Sequence, residues 1–507
     1  VNGETDGWQR LDRRMLLVNP VQEFMKLLPA LLGLLVAGTA IGVRGWQLLA
    51  LVVPVVLGTV RYLTTRYRVA DGRVELRRGL LSRRTLAVPV DRVRTVDLTA
   101  PPVHRLLGLV TVRIGTGTAS SREEDSLDLD GLPVAAARTL RAALLRAGEP
   151  ADGHRPDDDL LRPDPDRAVR TVLRLDPAWA RYAPLTGTGL VLLATVVGGG
   201  LQLATTLGIE LRLHADDLPG TSLPVAGWLV VLIGLVVTLL VVSALSVAAY
   251  LLTSWDLVLS HRPGAWHLVR GLLTTRETTL DDDRVAGAVL HEPLGLRLAG
   301  AAHLSAIVTG LDRSRAGSAT LVPPAPAAVA AGVGGEVVGT PQPLDVALRT
   351  HGPAATRRRW ARALGPAVLL AALGVVATLT LPVGIWGVVL AVLALPVAAG
   401  LAHDRTRSLG HALVAGHLVA RSGSLARSRE VLATRHVIGW TLRDTVVQRR
   451  AGLVTLTATT AGGDQAVTVP DVPLEAALRL ADDAVPGLVS QFLAVPERLP
   501  DPPSTRD

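Results

Sequence analysis

Three arginines at one register carry the clearest chemical signal in this chain. Arg105, Arg297 and Arg449 each lie twenty-six residues after a glycine, respectively Gly79, Gly271 and Gly423. A guanidinium presents a planar fork of donors that fits a phosphate or a carboxylate. Its recurrence therefore points to a site for a headgroup phosphate or an acidic partner, or to a turn whose carbonyls or carboxylate the arginine ties within its own domain. A second basic group, Arg77-Arg78 followed by Arg83-Arg84, forms a hairpin that could face anionic headgroups or stay a solvated strand-turn face. The corresponding stretches near Gly271 and Gly423 are thinner, with Arg270 and Arg276 in one and Arg421, Arg427 and Arg429 in the other. The candidate anion- or partner-binding residues are thus Arg83, Arg84, Arg105, Arg297 and Arg449.

Other chemistry finds less support. There is no cysteine, which removes disulfides, thiol catalysis and Cys-based metal sites. Asp157-Asp158-Asp159 and Asp281-Asp282-Asp283 look like acidic metal clusters, but neighbouring residues on a strand point to opposite faces and do not converge on one ion. His214 with Asp216 and Asp217 reads as a polar solvated tip. Gly332-Val333-Gly334-Gly335 lacks the strand before it and the Lys-Ser/Thr after it that a phosphate loop needs. No Ser/His/Asp arrangement has recognisable spacing. The expectation is a non-enzymatic protein with no catalytic residue, no cofactor and no metal.

The elements that would carry these arginines are written three times. Around the three origins, Gly72, Gly264 and Gly416 lie seven residues upstream, and Gly108, Gly300 and Gly452 twenty-nine downstream. Matches at so many positions mark an internal repeat. In the first copy, Tyr67–Val69, Arg73–Leu76, Thr85–Val88, Val93–Leu98 and Val110–Ile114 read as short strands with glycine turns between them, followed by a helix over Val134–Ala147. In the third, strands at Leu418–Ala420 and Val454–Thr457 precede a helix from Leu474 to about Ala484. The pairs Leu140/Leu144 and Leu474/Leu478 are each spaced to share a buried helix face. The second copy keeps strands near Trp255–Leu259 and His267–Val269. Its Ala/Pro/Gly-rich stretch 313–340 reads as a flexible insertion before a helix at Leu344–Arg349.

Each copy follows an apolar stretch. With 507 residues, 49% hydrophobic content and a mean hydropathy of +0.37, the chain is too apolar for an ordinary soluble protein. Paired uncharged runs at 27–43 and 46–60, 183–209 and 218–252, and 364–381 and 383–402 read as three transmembrane hairpins, the first of them marginal and alternatively re-entrant. The last turns at Pro382-Val383-Gly384. Arginines crowd the outer flanks of the hairpins while their tips are poor in positive charge, so both termini and all three copies are expected on the cytoplasmic side. The formal charge of +8 is explained by these flanks and by anionic lipid; nucleic acid is not expected as a partner.

The run Tyr67-Arg68-Val69, Gly79-Leu80-Leu81-Ser82-Arg83-Arg84, Val88-Pro89-Val90-Asp91-Arg92-Val93 and Pro102-Val103-His104-Arg105-Leu106-Leu107-Gly108-Leu109 resembles the bacterial pleckstrin-homology-like domain of the YdbT membrane-protein type. The resemblance is close in the first copy, moderate in the third and weak in the second. It implies membrane α-helical hairpins plus α+β cytosolic domains, namely three pleckstrin-homology-like β sandwich or partly open barrel units, each with a C-terminal helix. The expected layout is a cytosolic segment 1–23, hairpin 24–62, domain 63–147, linker 148–181, hairpin 182–252, domain 253–350, hairpin 363–402, domain 405–495 and a disordered tail 496–507. Such a protein is expected in the bacterial cytoplasmic membrane. Its domains would engage anionic headgroups, an unknown protein partner or one another as a homo-oligomer, in a role compatible with envelope maintenance or stress. A transport accessory or permease component is the alternative, and a membrane enzyme without a recognisable motif the third.

Overall fold

The computed structural model describes residues 8–24, 46–70, 72–79, 84–90, 95–115, 127–147, 170–187, 189, 191–195, 198–199, 225–309, 320–380, 385–462, 466–488 and 491. The first run of hairpin one past residue 24, most of 188–224, the linker 148–169 and the tail from 492 lie outside these residues, as do Asp157–Asp159, His214, Asp216 and Asp217. The chain divides into two compact units, Val1–Arg284 with Thr309–Pro324, and Val285–Val308 with Ala325–Asp507.

In the first unit, β1 (Gln9–Arg10), helix α1 (Trp46–Thr64), β2 (Arg66–Ala70), β3 (Arg73–Arg78) and β4 (Arg84–Pro89) precede β5 (Thr95–Ala100), α2 (Pro102–Leu106), β6 (Leu109–Gly115), β7 (Leu127–Pro133) and α3 (Val134–Ala147). One antiparallel sheet runs β1-β2-β3-β4. The strand β7 escaped the sequence reading, although its alternation is plain: Leu127 and Leu129 are buried between the outward Asp128 and Asp130. Leu144 of α3 is fully buried among Val74, Val96, Val112 and Leu129, with Leu140 packed alongside, so this helix seals the first core as its spacing predicts. Residues 15–24 are helical and place Met15 and Val18 with Leu11, Tyr62 and Leu109 in a satellite cluster.

The unit continues through β8 (Arg170–Arg174), a 3-10 segment (Pro177–Leu185), α4 (Val225–Ser254), β9 (Val258–Arg262), β10 (Ala265–Arg270) and β11 (Thr275–Asp281). Its second sheet has the order β7-β6-β5-β11-β10-β9-β8. Strands of the first and second sequence copies thus share one hydrogen-bonded sheet.

The second unit holds β12 (Val285–Pro293), α5 (Leu294–Leu298) and β13 (Ala301–Val308). After β14 (Thr320–Pro326) come α6 (Ala327–Val338), α7 (Gln342–Asp345), α8 (Gly352–Thr380), α9 (Trp386–Arg407), β15 (Gly410–Val414), β16 (His417–Ser422), β17 (Ala426–Ala433), β18 (Gly439–Arg443), α10 (Val446–Arg450), β19 (Leu453–Thr459), β20 (Ala466–Pro473) and α11 (Leu474–Ala484). Its larger sheet includes the consecutive strands β13-β12-β17-β16-β15, again joining two copies, and its smaller one is β18-β19-β20.

Two readings of this part of the chain are corrected. Of the stretch 313–340, residues 313–319 lie outside the described residues, and from Thr320 on it is not a loop insertion but β14 and α6; the helix expected at Leu344–Arg349 is reduced to the single turn α7. The small residues mistaken for low complexity are packing residues, since a side chain at Gly334 would collide with Leu344 and Leu304, and one at Gly335 with Pro341. Gly332–Gly335 accordingly lie inside a helix. On α11 the buried face is Ala477, Leu480, Ala481 and Ala484, while Leu474 is exposed and Leu478 only packs at its margin. The helix is rotated relative to the i, i+4 pair chosen from sequence.

Three helical stretches among the described residues are long and apolar enough to cross a membrane: Leu232–Ser254, Gly352–Thr380 and Gly387–Arg407. Their apolar side chains face outward along most of their length, the pattern of a helix solvated by hydrocarbon rather than water. In the α8–α9 pair, backbone meets backbone at Gly374 and Gly387, where a methyl on either would strike the other's carbonyl. The turn expected at Pro382–Gly384 falls outside the described residues.

Candidate functional site

The recurring glycines set the frame on which the arginines are placed. Gly72, Gly264 and Gly416, Gly79, Gly271 and Gly423, and Gly108, Gly300 and Gly452 all have φ between 65° and 111°, a region that a Cβ disfavours. Immediately before the last three of these stand the short helices α2, α5 and α10, and each carries its arginine in its final turn.

The three arginines then diverge. The Arg105 Nη1 donates to the Leu272 carbonyl at 2.9 Å, within a cleft that Trp255, Arg270 and Thr275 also line. The Arg297 Nη2 donates to Asp404 Oδ1 at 2.9 Å, and Ser424 donates to the other Asp404 oxygen at 2.8 Å. In both cases the partner belongs to the following sequence copy or to the helix that leads into it, not to the arginine's own copy. Arg449 has a local partner instead: its Nε and Nη2 donate to Asp444 at 3.2 and 2.9 Å, and this bonding holds the Asp444 carboxyl below the usual carboxylate range. The Arg449 side chain is 72% exposed. Arg83 lies outside the described residues, and Arg84 opens β4.

Around Arg105 and Arg297 the sheets themselves are joined, and the joints share one register. At the first, Leu98, Thr99 and Ala100, which stand 19, 20 and 21 residues after Gly79, face Glu277, Arg276 and Thr275, 6, 5 and 4 after Gly271. At the second, Leu290, His291 and Glu292, 19, 20 and 21 after Gly271, face Arg429, Ser428 and Arg427, 6, 5 and 4 after Gly423. Side chains lock each joint. Arg141 on α3 donates to Glu277 at 2.7 Å, and Arg427 binds Glu292 at 2.7 Å. Two carboxylates of the Asp281–Asp283 run are taken by neighbours, Asp282 by His261 at 2.9 Å and Asp281 by Arg284 at 3.2 Å.

A second polar cluster, which sequence reasoning missed, fastens α8 to its domain. Asp471 is 1% exposed, has a φ of 59°, and accepts from Arg358, from Arg359 at 3.0 Å and from Gln448 at 3.0 Å. A non-glycine residue in this conformation is retained only where its surroundings over-determine it, and three charged or amide donors do so here. Beside it, His351 Nδ1 donates to the Pro470 carbonyl at 3.0 Å, which leaves His351 Nε2 to accept from His411 Nδ1 at 2.9 Å. With one nitrogen donating and the other accepting, the His351 ring is neutral. Burial is the first cause that lowers the pKa values of His351 and His411, the latter to about 4. The only sequence signal for this cluster was the Arg357–Arg359 run, which positive-inside logic had already explained.

Residues 24–148 and 367–484 match the family model of the bacterial PH domain. No curated protein and no solved structure matches the chain. The matched stretches include the strands and closing helices of the first and third sequence copies, with the arginine-bearing turns α2 and α10 in place. These two stretches, just under half of the chain, are similar to bacterial PH domains, and the described residues hold three helices long and apolar enough to cross a bilayer.

Proposed function

We propose that this is a non-enzymatic, multi-pass protein of the bacterial cytoplasmic membrane, in which three PH-like units on the cytoplasmic side form an assembly platform. The units engage one another, and through the same kind of surface other protein, by pairing sheet edges. The observation that carries this reading is the common register of the joints β5–β11 and β12–β17, each with the recurring arginine bonded to the following copy. On this reading Arg105 and Arg297 are assembly residues rather than headgroup ligands.

The test uses the full-length protein in detergent. Arg297→Gln is expected to lower the melting temperature by several degrees, as loss of a partly buried ion pair costs about 1–3 kcal/mol, with the amount of co-purifying anionic phospholipid unchanged. Loss of that lipid at an unchanged melting temperature would replace the platform by a headgroup-binding function. The topology is tested separately: single cysteines at Ser120, Ser318 and Ser504 should resist an impermeant thiol reagent in intact cells, and one at Thr221 should react.

A further inference from the structure

Each joint consumes one edge from each of two copies, and this leaves two edges over. The edge β5 takes β11, and β12 takes β17. The strand at the same offset in the third copy is β18, which borders only β19. The strand at the offset of β11 and β17 in the first copy is β4, which borders only β3. Among the described residues neither outer edge has a strand partner.

Three features mark β18 as a joint of the same kind with its partner missing. The residue nineteen after the origin glycine is leucine in every copy: Leu98 and Leu290, at the two joints, are 5% and 6% exposed, whereas Leu442 on β18 is 39% exposed. Sixteen after the origin, Gly287 stands where a Cβ would strike the Val431 carbonyl of the joined strand; Gly439 holds the same offset on β18 and faces open space. And Arg449, whose counterparts bond to the following copy, is left exposed on a local carboxylate. An unpaired, partly apolar strand edge is a template for another strand.

We infer that β18 of one chain pairs antiparallel with β4 of a second copy of this chain, in the register of the internal joints, so that Leu442 faces Thr85 and Gly439 faces Val88. The occupant is a second copy because β4 has the offset that both internal partners, β11 and β17, already use. The contact is head-to-tail: each chain offers a different edge at each end, so association continues into a ring or a linear array rather than stopping at a two-fold dimer. This inference rests on the edge-pairing reading of the platform and extends it from copies within a chain to chains within a membrane.

The absence of native cysteine makes the contact testable by cross-linking in native membranes. Directly opposed cross-strand Cβ atoms lie about 5 Å apart, within reach of a short bis-maleimide. The Thr85→Cys/Leu442→Cys double variant should give a ladder of dimers and larger species. Co-expressed Thr85→Cys and Leu442→Cys single variants should give dimers only, and each single variant alone none. Both positions are exposed, and unchanged melting temperatures will verify that the variants fold. A Thr99→Cys/Arg276→Cys variant, at the adjacent opposed pair of an internal joint where both residues are half-buried, should cross-link within one chain. If the internal pair links while the double variant stays monomeric, the intermolecular joint is refuted and the platform reading stands; if neither links, both fall. Cross-linking by either single variant alone would mean a two-fold contact and would also overturn the head-to-tail joint, as would capture of a different protein by Leu442→Cys in place of this chain.

Discussion

The joints within the two units keep one register but hold by different means. In the first unit the ladder between β5 and β11 is three residue pairs long, and a side-chain tie from α3 reaches across to Glu277. In the second unit the ladder between β12 and β17 is seven pairs long, with Arg427 bound to Glu292 as an addition. Register is therefore set by where strands begin after the repeated glycines, while strength is set locally by how far the backbone ladder extends. A short ladder depends on its side chains; a long one does not.

The largest expected effect is at the anchor peculiar to the second unit. Asp471→Ala leaves Arg358 and Arg359 buried without a carboxylate, and should destabilise that unit by about 3–5 kcal/mol. Hydrogen exchange over residues 352–362 and 466–484 reads it out, and exchange unchanged from wild type would show that α8 is held by packing alone.

Acid should separate the units next. Burial, followed by the neighbouring His291, lowers the His303 pKa to about 4, and burial does the same for His411; in the first unit His267 is likewise near 4. For such groups the stabilisation is complete above pH ~6.5 and is lost as pH falls towards 4, because the unfolded chain takes up a proton that the folded one refuses. At ~1.4 kcal/mol per pKa unit this is on the order of 3 kcal/mol for His303. Two such histidines against one should make the second unit the steeper, and His303→Gln should flatten its exchange-versus-pH profile. An equal slope in both units would contradict this assignment.

A single repeat position then sharpens the contrast in ladder length. Gly287→Val places a branched side chain against the Val431 carbonyl and should cost about 1–3 kcal/mol. Thr95→Val has the same offset in the first copy, where the ladder to β11 does not reach, and should leave the melting temperature within a degree. Equal effects would mean that the ladders do not differ as described.

The smallest effects come from the side-chain ties. Double-mutant cycles of Arg141 with Glu277 and of Arg427 with Glu292 should each give a coupling of about 1 kcal/mol. Their consequences should differ: Arg141→Ala raises exchange at Thr275–Glu277, while Arg427→Ala leaves the centre of β17 protected. The reverse pattern would mean that the ladder is not what holds the second joint.

Much of this architecture could be read without coordinates, because it is local. The nine repeated glycines announce left-handed turns, the β-branched runs announce β2 to β6, and Val134–Ala147 and Leu474–Ala484 have the bounds expected of their helices. Failure came where composition hid packing, as in α6, whose Ala and Gly residues fit close against Leu304 and Leu344. It came also where partners are distant in sequence. Alternation along a strand tells which face is buried but not which strand borders its edge, so no residue pattern pointed Arg105 to Leu272 or β12 to β17. The arginine register was readable; its partners were not.

The constancy of the joint bears on how such a chain can change length over evolution. Beside one shared leucine, the two joints are made by unlike residues at equal offsets, Thr99 with Arg276 in one and His291 with Ser428 in the other. Compatibility thus resides in the backbone spacing from the recurring glycines. A tandem duplication of one hairpin and its domain would be born with a fitting neighbour on each side, needing no compensating substitution to be accommodated. Mutation could afterwards individualise each junction without breaking the series.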